Sequence, residues 1–215
     1  MSLVVLKVGG ASVGRIVIPD EPTIVVHGAG PQISKEMGRR GLQPQFVDGR
    51  RVTTSEVLEI VRERFAEVNA AVCRAIGPRA VPFFGDEIGL AARQVPGLGL
   101  VGEPLPCAPA PLVDALDAGL VPVLAPLAAG PLNVNADEAA AALAVGFGAE
   151  RLLFLTDVPG VLHAGRLLET IDAEHAEALI GAGSFEGGIV PKLLAAVRAA
   201  RGGLVAEIGV TLVVA

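Results

Sequence analysis

Six runs of apolar, largely β-branched residues, at 3–8, 23–26, 80–84, 120–124, 152–155 and 212–215, alternate with helical patterns along the 215-residue chain. Runs this continuous suit strands buried on both faces, and parallel sheets are the ones that helices cover on each side. The expected fold is therefore α/β, a three-layer αβα sandwich with a mostly parallel central sheet.

Between the runs, residues 31–40 open with Pro31 at a first-turn position and close at Gly41, which are helix start and stop signals. Residues 53–76 give the clearest helix. Thr53-Thr54-Ser55-Glu56 offers a capping box, Val57, Val61, Phe65, Val68 and Val72 recur at spacings of three or four, and Gly77-Pro78 ends the pattern. Further helices are expected at 111–118, 136–145, 173–180 and 188–200. No repeat or low-complexity linker interrupts the chain, so one domain over residues 1–215 is expected, with two closely packed lobes at 1–148 and 149–215.

A hydrophobic content of 52% and a mean hydropathy of +0.59 raise the question of a membrane span, and residues 118–136 carry no charge. Pro122, Pro126, Gly130 and Pro131 break that stretch, whereas a spanning helix needs about 20 predominantly apolar residues. It reads as buried strand plus loop. The N-terminus has no basic region leading a long apolar core, so a cytoplasmic location is expected. A net charge of −6 without a basic block, and the lack of Trp and Tyr, argue against a nucleic-acid partner and for a small molecule. Cys73 and Cys107 have neither CxxC nor Cys/His spacing and read as ordinary thiols, with no metal site.

Two glycine-rich loops follow buried strands. In Lys7-Val8-Gly9-Gly10 the glycines let backbone N–H groups approach an anion, and Lys7 adds a positive charge. His27-Gly28-Ala29-Gly30-Pro31 leads into a helix whose free N–H groups and dipole favour the same ligand. A histidine packed at a strand end accounts for His27 itself. In Asn133-Val134-Asn135-Ala136-Asp137, Asn135 reads as an N-cap, while Asp137 admits two readings: a carboxylate complementing the helix dipole, or one that holds two lysines in place. Thr156-Asp157-Val158-Pro159-Gly160 closes another strand at the carboxyl edge, where open α/β sheets bind ligands. Gly187-Gly188-Ile189-Val190-Pro191-Lys192 opens the last long helix, with Lys192 in its first or second turn; a solvated lysine is the alternative. Arg51 stands before the helix at 53 with a planar fork suited to a carboxylate, and Arg50 beside it reads as solvated.

The ordered set KVGG, VHGAGPQI, DGRRVT, NVNADEAA, LTDVPGV and GGIVPK resembles the amino acid kinase family, and within it most closely the acetylglutamate kinases. The resemblance implies an amino acid kinase fold and ATP-dependent phosphorylation of N-acetyl-L-glutamate on its γ-carboxylate, in arginine biosynthesis. It implies ATP with Mg2+ held through the nucleotide phosphates. By the same resemblance Lys7 and Lys192 neutralise the transferring phosphoryl group and Asp137 orients them. Ala29, Gly30, Arg51 and Asn133 hold the acyl substrate, and Gly9, Gly10, Gly28, Asp157, Val158, Gly160, Val161 and Leu162 face the phosphates and nucleotide. No general base is called for, because an ionised carboxylate is already a nucleophile.

The chain departs from the family pattern at several places, among them Glu186, where relatives commonly have a small hydroxyl residue near the nucleotide. Only residues 11–22 separate the first glycine loop from the second strand, near the lower limit for a parallel crossover, so a partner subunit or a short irregular segment has to cover that flank. After Lys192 the chain leaves room for only the final strand, without the extra strand and helix many relatives carry. The chain starts directly at its first strand, which leads to the expectation of a homodimer that arginine does not inhibit; a PII-type regulator is not readable from the residues. Two other readings stay open, a kinase for carrier-protein-bound aminoadipate or glutamate, and a catalytically silent nucleotide-binding subunit.

Overall fold

The computed structural model of the chain describes residues 2–9 and 13–215. It begins with β1 (Val4–Val8), a 3-10 turn (Val13–Arg15), β2 (Thr23–His27) and α1 (Gly30–Arg39). The short strands β3 (Phe46–Val47) and β4 (Arg50–Arg51) precede the long helix α2 (Ser55–Ile76). β5 (Ala80–Phe84), β6 (Ala92–Gln94) and β7 (Val101–Pro104) lead to α3 (Ala110–Asp117), and β8 (Val121–Ala125), β9 (Leu127–Ala128) and β10 (Leu132–Val134) lead to α4 (Ala136–Phe147). The last third holds β11 (Arg151–Leu155), β12 (Leu162–His163), β13 (Arg166–Leu167), β14 (Thr170–Asp172), α5 (Ala173–Gly181), α6 (Ile189–Arg201), β15 (Val205–Ile208) and β16 (Thr211–Val214).

Eight strands form the central sheet in the order β14-β16-β15-β11-β1-β2-β8-β5. All neighbours pair in parallel except β15 and β16. Every one of the six apolar runs becomes a strand of this sheet. β14 and β15 are additions: β14 pairs in parallel outside β16, and the chain after α6 turns back as an antiparallel pair rather than entering the final strand alone. A second, smaller sheet, β6-β7-β10-β9, was also not anticipated. Its strands span two to four residues, too few to show a hydrophobic period.

The two faces of the sheet carry separate cores, as strand alternation dictates. On β1, Leu3 and Val5 face one cluster built with α4 and α6, while Leu6 and Val8 face the other, built with α1 and α2. Lys7 shares the parity of Leu3 and Val5, so its side chain is directed to the α4 side. α4 and α6 meet through small residues, Ala139 to Ala142 on one and Ala195, Ala196, Ala199 and Ala200 on the other, all buried. Alanine ridges let two helices approach closely, and this brings the first turns of α4 and α6 side by side. Across the sheet, Asn69 of α2 donates to the carbonyls of Val123 (3.0 Å) and Phe83 (3.4 Å), pinning that helix to β8 and β5.

The short crossover is an irregular segment in its described part: the 3-10 turn at Val13–Arg15 is followed by coil, with Val13, Ile16 and Ile18 packed on the second cluster. The expected capping box gives way to a single N-cap bond one residue later, because with Thr54 as the cap the third helical position is Val57 and not Glu56. Thr54 is the N-cap of α2 and accepts from the Val57 N–H, whereas Thr53 is wholly buried beside Gly99. Among the described residues no helix is long and apolar enough to cross a membrane.

Close helix packing sets opposite signs for one substitution at two glycines. A Cβ on Gly146 of α4 would lie 2.2 Å from the Cys107 carbonyl oxygen, while one on the exposed Gly38 of α1 meets nothing within 4 Å. Gly146→Ala is expected to lower stability by about 1–3 kcal/mol through overpacking. Gly38→Ala is expected to raise it by about 0.4–1 kcal/mol through helix propensity and loss of unfolded-state entropy. Denaturant midpoints of the two variants check both signs.

Candidate active site

The C-terminal ends of β1, β2 and β11 lie at one edge of the sheet, with Lys7 paired in register with Val26 and Phe154. Above this edge opens a cavity of about 410 Å³. It brings together Lys7, Gly9, Gly28, Ala29, Gly30, Arg51, Asn133, Asp137, Asp157 and Lys192, which the sequence had scattered over 186 positions (7 to 192).

Lys7 and Asp137 form an ion pair of 2.8 Å, with both side chains more than nine-tenths buried. Asp137 is held in the first turn of α4, where Asn135 caps the helix by accepting from the N–H groups of Asp137 (2.8 Å) and Glu138 (3.3 Å). Asp137 thus lies at the positive end of a helix and is paired with one of the two lysines, Lys7; Lys192 feels its charge but makes no ion pair with it among the described residues. Lys192 sits in the second turn of α6 and donates to the Gly188 carbonyl at 3.2 Å. Burial pushes its ammonium below the ordinary lysine range; Lys7 acts in the same direction, and Asp137 and Asp157 oppose it. Lys192 is thus not a solvated surface lysine.

The N-termini of α1 and α6 carry no side-chain cap. At α1, Ala29, Gly30 and Pro31 line the cavity, and a Cβ on Gly30 would meet nothing within 4 Å. Such an end suits an anion. Gly28 lies against Ala136 of α4, 3.5 Å from a Cβ built on it, so the loop and the Asp137 turn support each other. His27 faces away, wholly buried and edge-on to Phe65 at 5.7 Å; burial pushes its pKa down to about 4, which keeps it neutral.

Arg51 is 6% exposed and has no ion-pair partner among the described residues. Its guanidinium donates to the Gly30 carbonyl (3.1 Å), Ser34 Oγ (2.9 Å) and Met37 Sδ (3.2 Å), and lies 4.6 Å from the centre of the Phe46 ring. Asn133 reaches Arg51 through a short relay. Its Nδ2 donates to Thr53 Oγ1 (3.0 Å), and the Thr53 hydroxyl donates to the Arg51 carbonyl (2.7 Å).

Gly10 lies outside the described residues. Val158, Gly160, Val161 and Leu162 do not line the cavity. Val158 and Leu162 are exposed by 40% and 52%, Val161 is wholly buried, and a Cβ on Gly160 would meet Thr211 and Leu167. These residues form the turn and hairpin beside the Asp157 end of β11, which places them next to the cavity rather than in it. That Thr53 and Ser34 hold site residues was not legible, because single hydroxyls leave no periodic mark: Thr53 bonds back two residues to the Arg51 carbonyl, and Ser34 reaches Arg51 from α1. Arg50, read as solvated, is 15% exposed and bonded to Glu138 and Glu103. The Asp48-Gly49 pair was the available signal, because it marks a tight hairpin that fixes both arginines.

The amino acid kinase family model matches residues 2–209. An acetylglutamate kinase from Rubrobacter xylanophilus is 41% identical, over 97% of this chain and 88% of its own length. One from Methanopyrus kandleri is 42% identical, over 93% and 91%. A crystal structure of a Streptococcus mutans UA159 protein superposes with a TM-score of 0.89 at 25% identity, covering 99% of this chain and 98% of that one.

The lowered pKa of Lys192 gives a pH expectation. Its charged form is lost as pH rises through the depressed value, so a reaction that needs the ammonium falls off at lower pH than an ordinary lysine would dictate. The alkaline limb of kcat/KM, which reports the free enzyme, is expected to begin below about pH 10.4, the ordinary lysine value. In Lys192→Arg the residual activity should lose that limb; an unchanged limb would assign it elsewhere.

Proposed function

The chain belongs to the amino acid kinase family, and from this premise we propose that it transfers the γ-phosphoryl group of ATP to the γ-carboxylate of N-acetyl-L-glutamate, giving N-acetyl-L-glutamyl 5-phosphate. The observation that carries the acceptor is Arg51. A guanidinium buried to this depth without a carboxylate is costly, and burial lowers its pKa, so its surroundings call for an anion from outside the chain. The α-carboxylate of the substrate supplies one, with Asn133 beside it for the acetamido group and Ala29 and Gly30 at the cavity wall.

In this reading the γ-carboxylate reaches the other end of the cavity, where Lys7, Lys192 and the uncapped end of α1 surround the transferring group. One carboxylate oxygen forms a bond to phosphorus as the bond from phosphorus to the bridging oxygen of ADP breaks, and ADP leaves with that electron pair. No proton moves in this step, so the site needs no base. The two lysines stabilise charge on the phosphoryl oxygens, and Asp137 fixes Lys7 without changing place. Positioning by Arg51 and the loops supplies the remainder.

ATP and Mg2+ belong to the same proposal. The described residues include no group of three His, Cys, Asp or Glu side chains able to hold a metal, so Mg2+ would arrive on the nucleotide phosphates. Asp157, a cavity carboxylate with no ion pair among the described residues, is the residue fitted to approach it. The sheet divides accordingly: β5, β8, β2 and β1 come from the expected acyl-binding lobe, and β11, β15, β16 and β14 from the nucleotide lobe. A homodimer is also part of the proposal.

Purified protein incubated with Mg-ATP, N-acetyl-L-glutamate and hydroxylamine should yield the hydroxamate of the trapped acyl phosphate, with none from free glutamate or aminoadipate. Lys7→Ala and Lys192→Ala should each lower the rate by about 10²- to 10³-fold. Product from glutamate alone, or from no acceptor, would overturn the assignment, and a variant with near-normal turnover would remove that lysine from the mechanism.

A further inference from the structure

The β3–β4 hairpin carries Arg51, yet it has little of its own to hold it in place. Each strand has two residues, the Asp48-Gly49 turn takes positive φ at both positions, and Phe46 and Val47 are exposed by 55% and 45%. A two-stranded hairpin of this size is marginal alone, so its position has to come from tertiary anchors. Asn135 Nδ2 supplies one by donating to the Gly49 carbonyl at 3.1 Å.

Arg50 supplies a more extensive one. Its Nε lies 3.1 Å from both carboxylate oxygens of Glu138, one residue beyond Asp137 in the first turn of α4. Its Nη2 lies 3.4 Å from Glu103 on β7. Arg198 of α6, the helix that carries Lys192 in its second turn, joins the same two carboxylates at 3.7 and 3.8 Å. Arg50 and Glu138 are only 15% and 12% exposed, so solvent screens their attraction weakly. The two adjacent arginines thus differ in kind: the charge of Arg51 has no ion-pair partner among the described residues, and that of Arg50 is met by two carboxylates.

We propose that Arg50 is a positioning residue, which through Glu138 and Glu103 clamps the β3–β4 hairpin against the first turn of α4 and so presets Arg51 for the acyl acceptor. The role rests on the reading of Arg51 as the acceptor's carboxylate clamp. Because the clamp links the hairpin to the turn that carries Asp137, acceptor affinity depends on it, whereas the phosphoryl-transfer step, served by Lys7 and Lys192, does not.

The test uses the full chain with Arg50→Leu, Arg50→Lys, Glu138→Gln and the Leu/Gln double variant. Arg50→Leu should raise KM for the acyl acceptor by about tenfold or more while kcat and KM for ATP stay within about threefold. Arg50→Lys should recover part of the loss. Glu138→Gln should raise the same KM, and the double variant should be little worse than Arg50→Leu, since the Arg50–Glu138 contact is already lost in that variant. If Arg50 instead touched the substrate, freeing it from Glu138 would leave KM unchanged or lower, which would overturn the proposal. Amide exchange over residues 44–52 of the protein without substrates is read in parallel and should be faster in Arg50→Leu and Glu138→Gln; exchange at the wild-type rate also overturns it. This second arm needs no turnover, so it separates failure of the clamp from failure of the acceptor assignment, which would show as a wild-type protein giving no acyl phosphate. Where Arg50→Leu does not fold, Glu138→Gln reads the same contact.

Discussion

An ammonium and a carboxylate 2.8 Å apart, both more than nine-tenths buried, lie where the central sheet meets α4, and the rest of the site is arranged around them. A charge left alone at this depth is costly, and breaking such a pair by removing one partner costs about 3–5 kcal/mol. The pair is kept by geometry that reaches well beyond it. Strand parity turns Lys7 toward α4, Asn135 fixes the first turn that bears Asp137, and the alanine faces of α4 and α6 bring Lys192 into the same field. The cationic pole of the cavity is therefore formed before any ligand enters, as electrostatic stabilisation of a transferring phosphoryl group requires.

At the opposite wall the logic is reversed. Arg51 is buried against polar atoms and the Phe46 ring and has no counter-charge among the described residues, which is what the proposed acceptor carboxylate would supply. The separation between a satisfied pole and an unsatisfied one gives the cavity a direction. In the proposed function, an acceptor anchored by one carboxylate at Arg51 would present its other end to the lysines. Arg50, one residue away, is spent on Glu138 and Glu103, so the anchor and its support are held on the same short hairpin.

Much of this was legible in the residues. The six apolar runs located six of the eight main strands, and all six expected helices formed with bounds within two residues, because long periodic or continuous patterns survive without knowledge of the fold. Gly28, Gly30, Asp137 and Lys192 could be singled out because glycines after strands and charges in first turns have a local physical meaning. What escaped was tertiary. The small sheet of β6, β7, β9 and β10 has strands too short to signal themselves, the Thr53 relay joins residues 80 positions apart, and Arg50 is buried only because Glu138 and Glu103 come from elsewhere. The turn after Asp157 was read as facing the nucleotide through Val161 and Leu162, and no local pattern tells which of those side chains turns into the core.

The central claim is that Asp137 acts on the transferring group through the lysine it holds. Its most direct measurement is a double-variant cycle on the single-turnover rate of acyl phosphate formation, with Lys7→Met, Asp137→Asn and both together. The account predicts strong non-additivity, with the double variant falling short of the product of the two single losses by about tenfold or more. Losses that multiply would mean that the two residues act independently, and would contradict it.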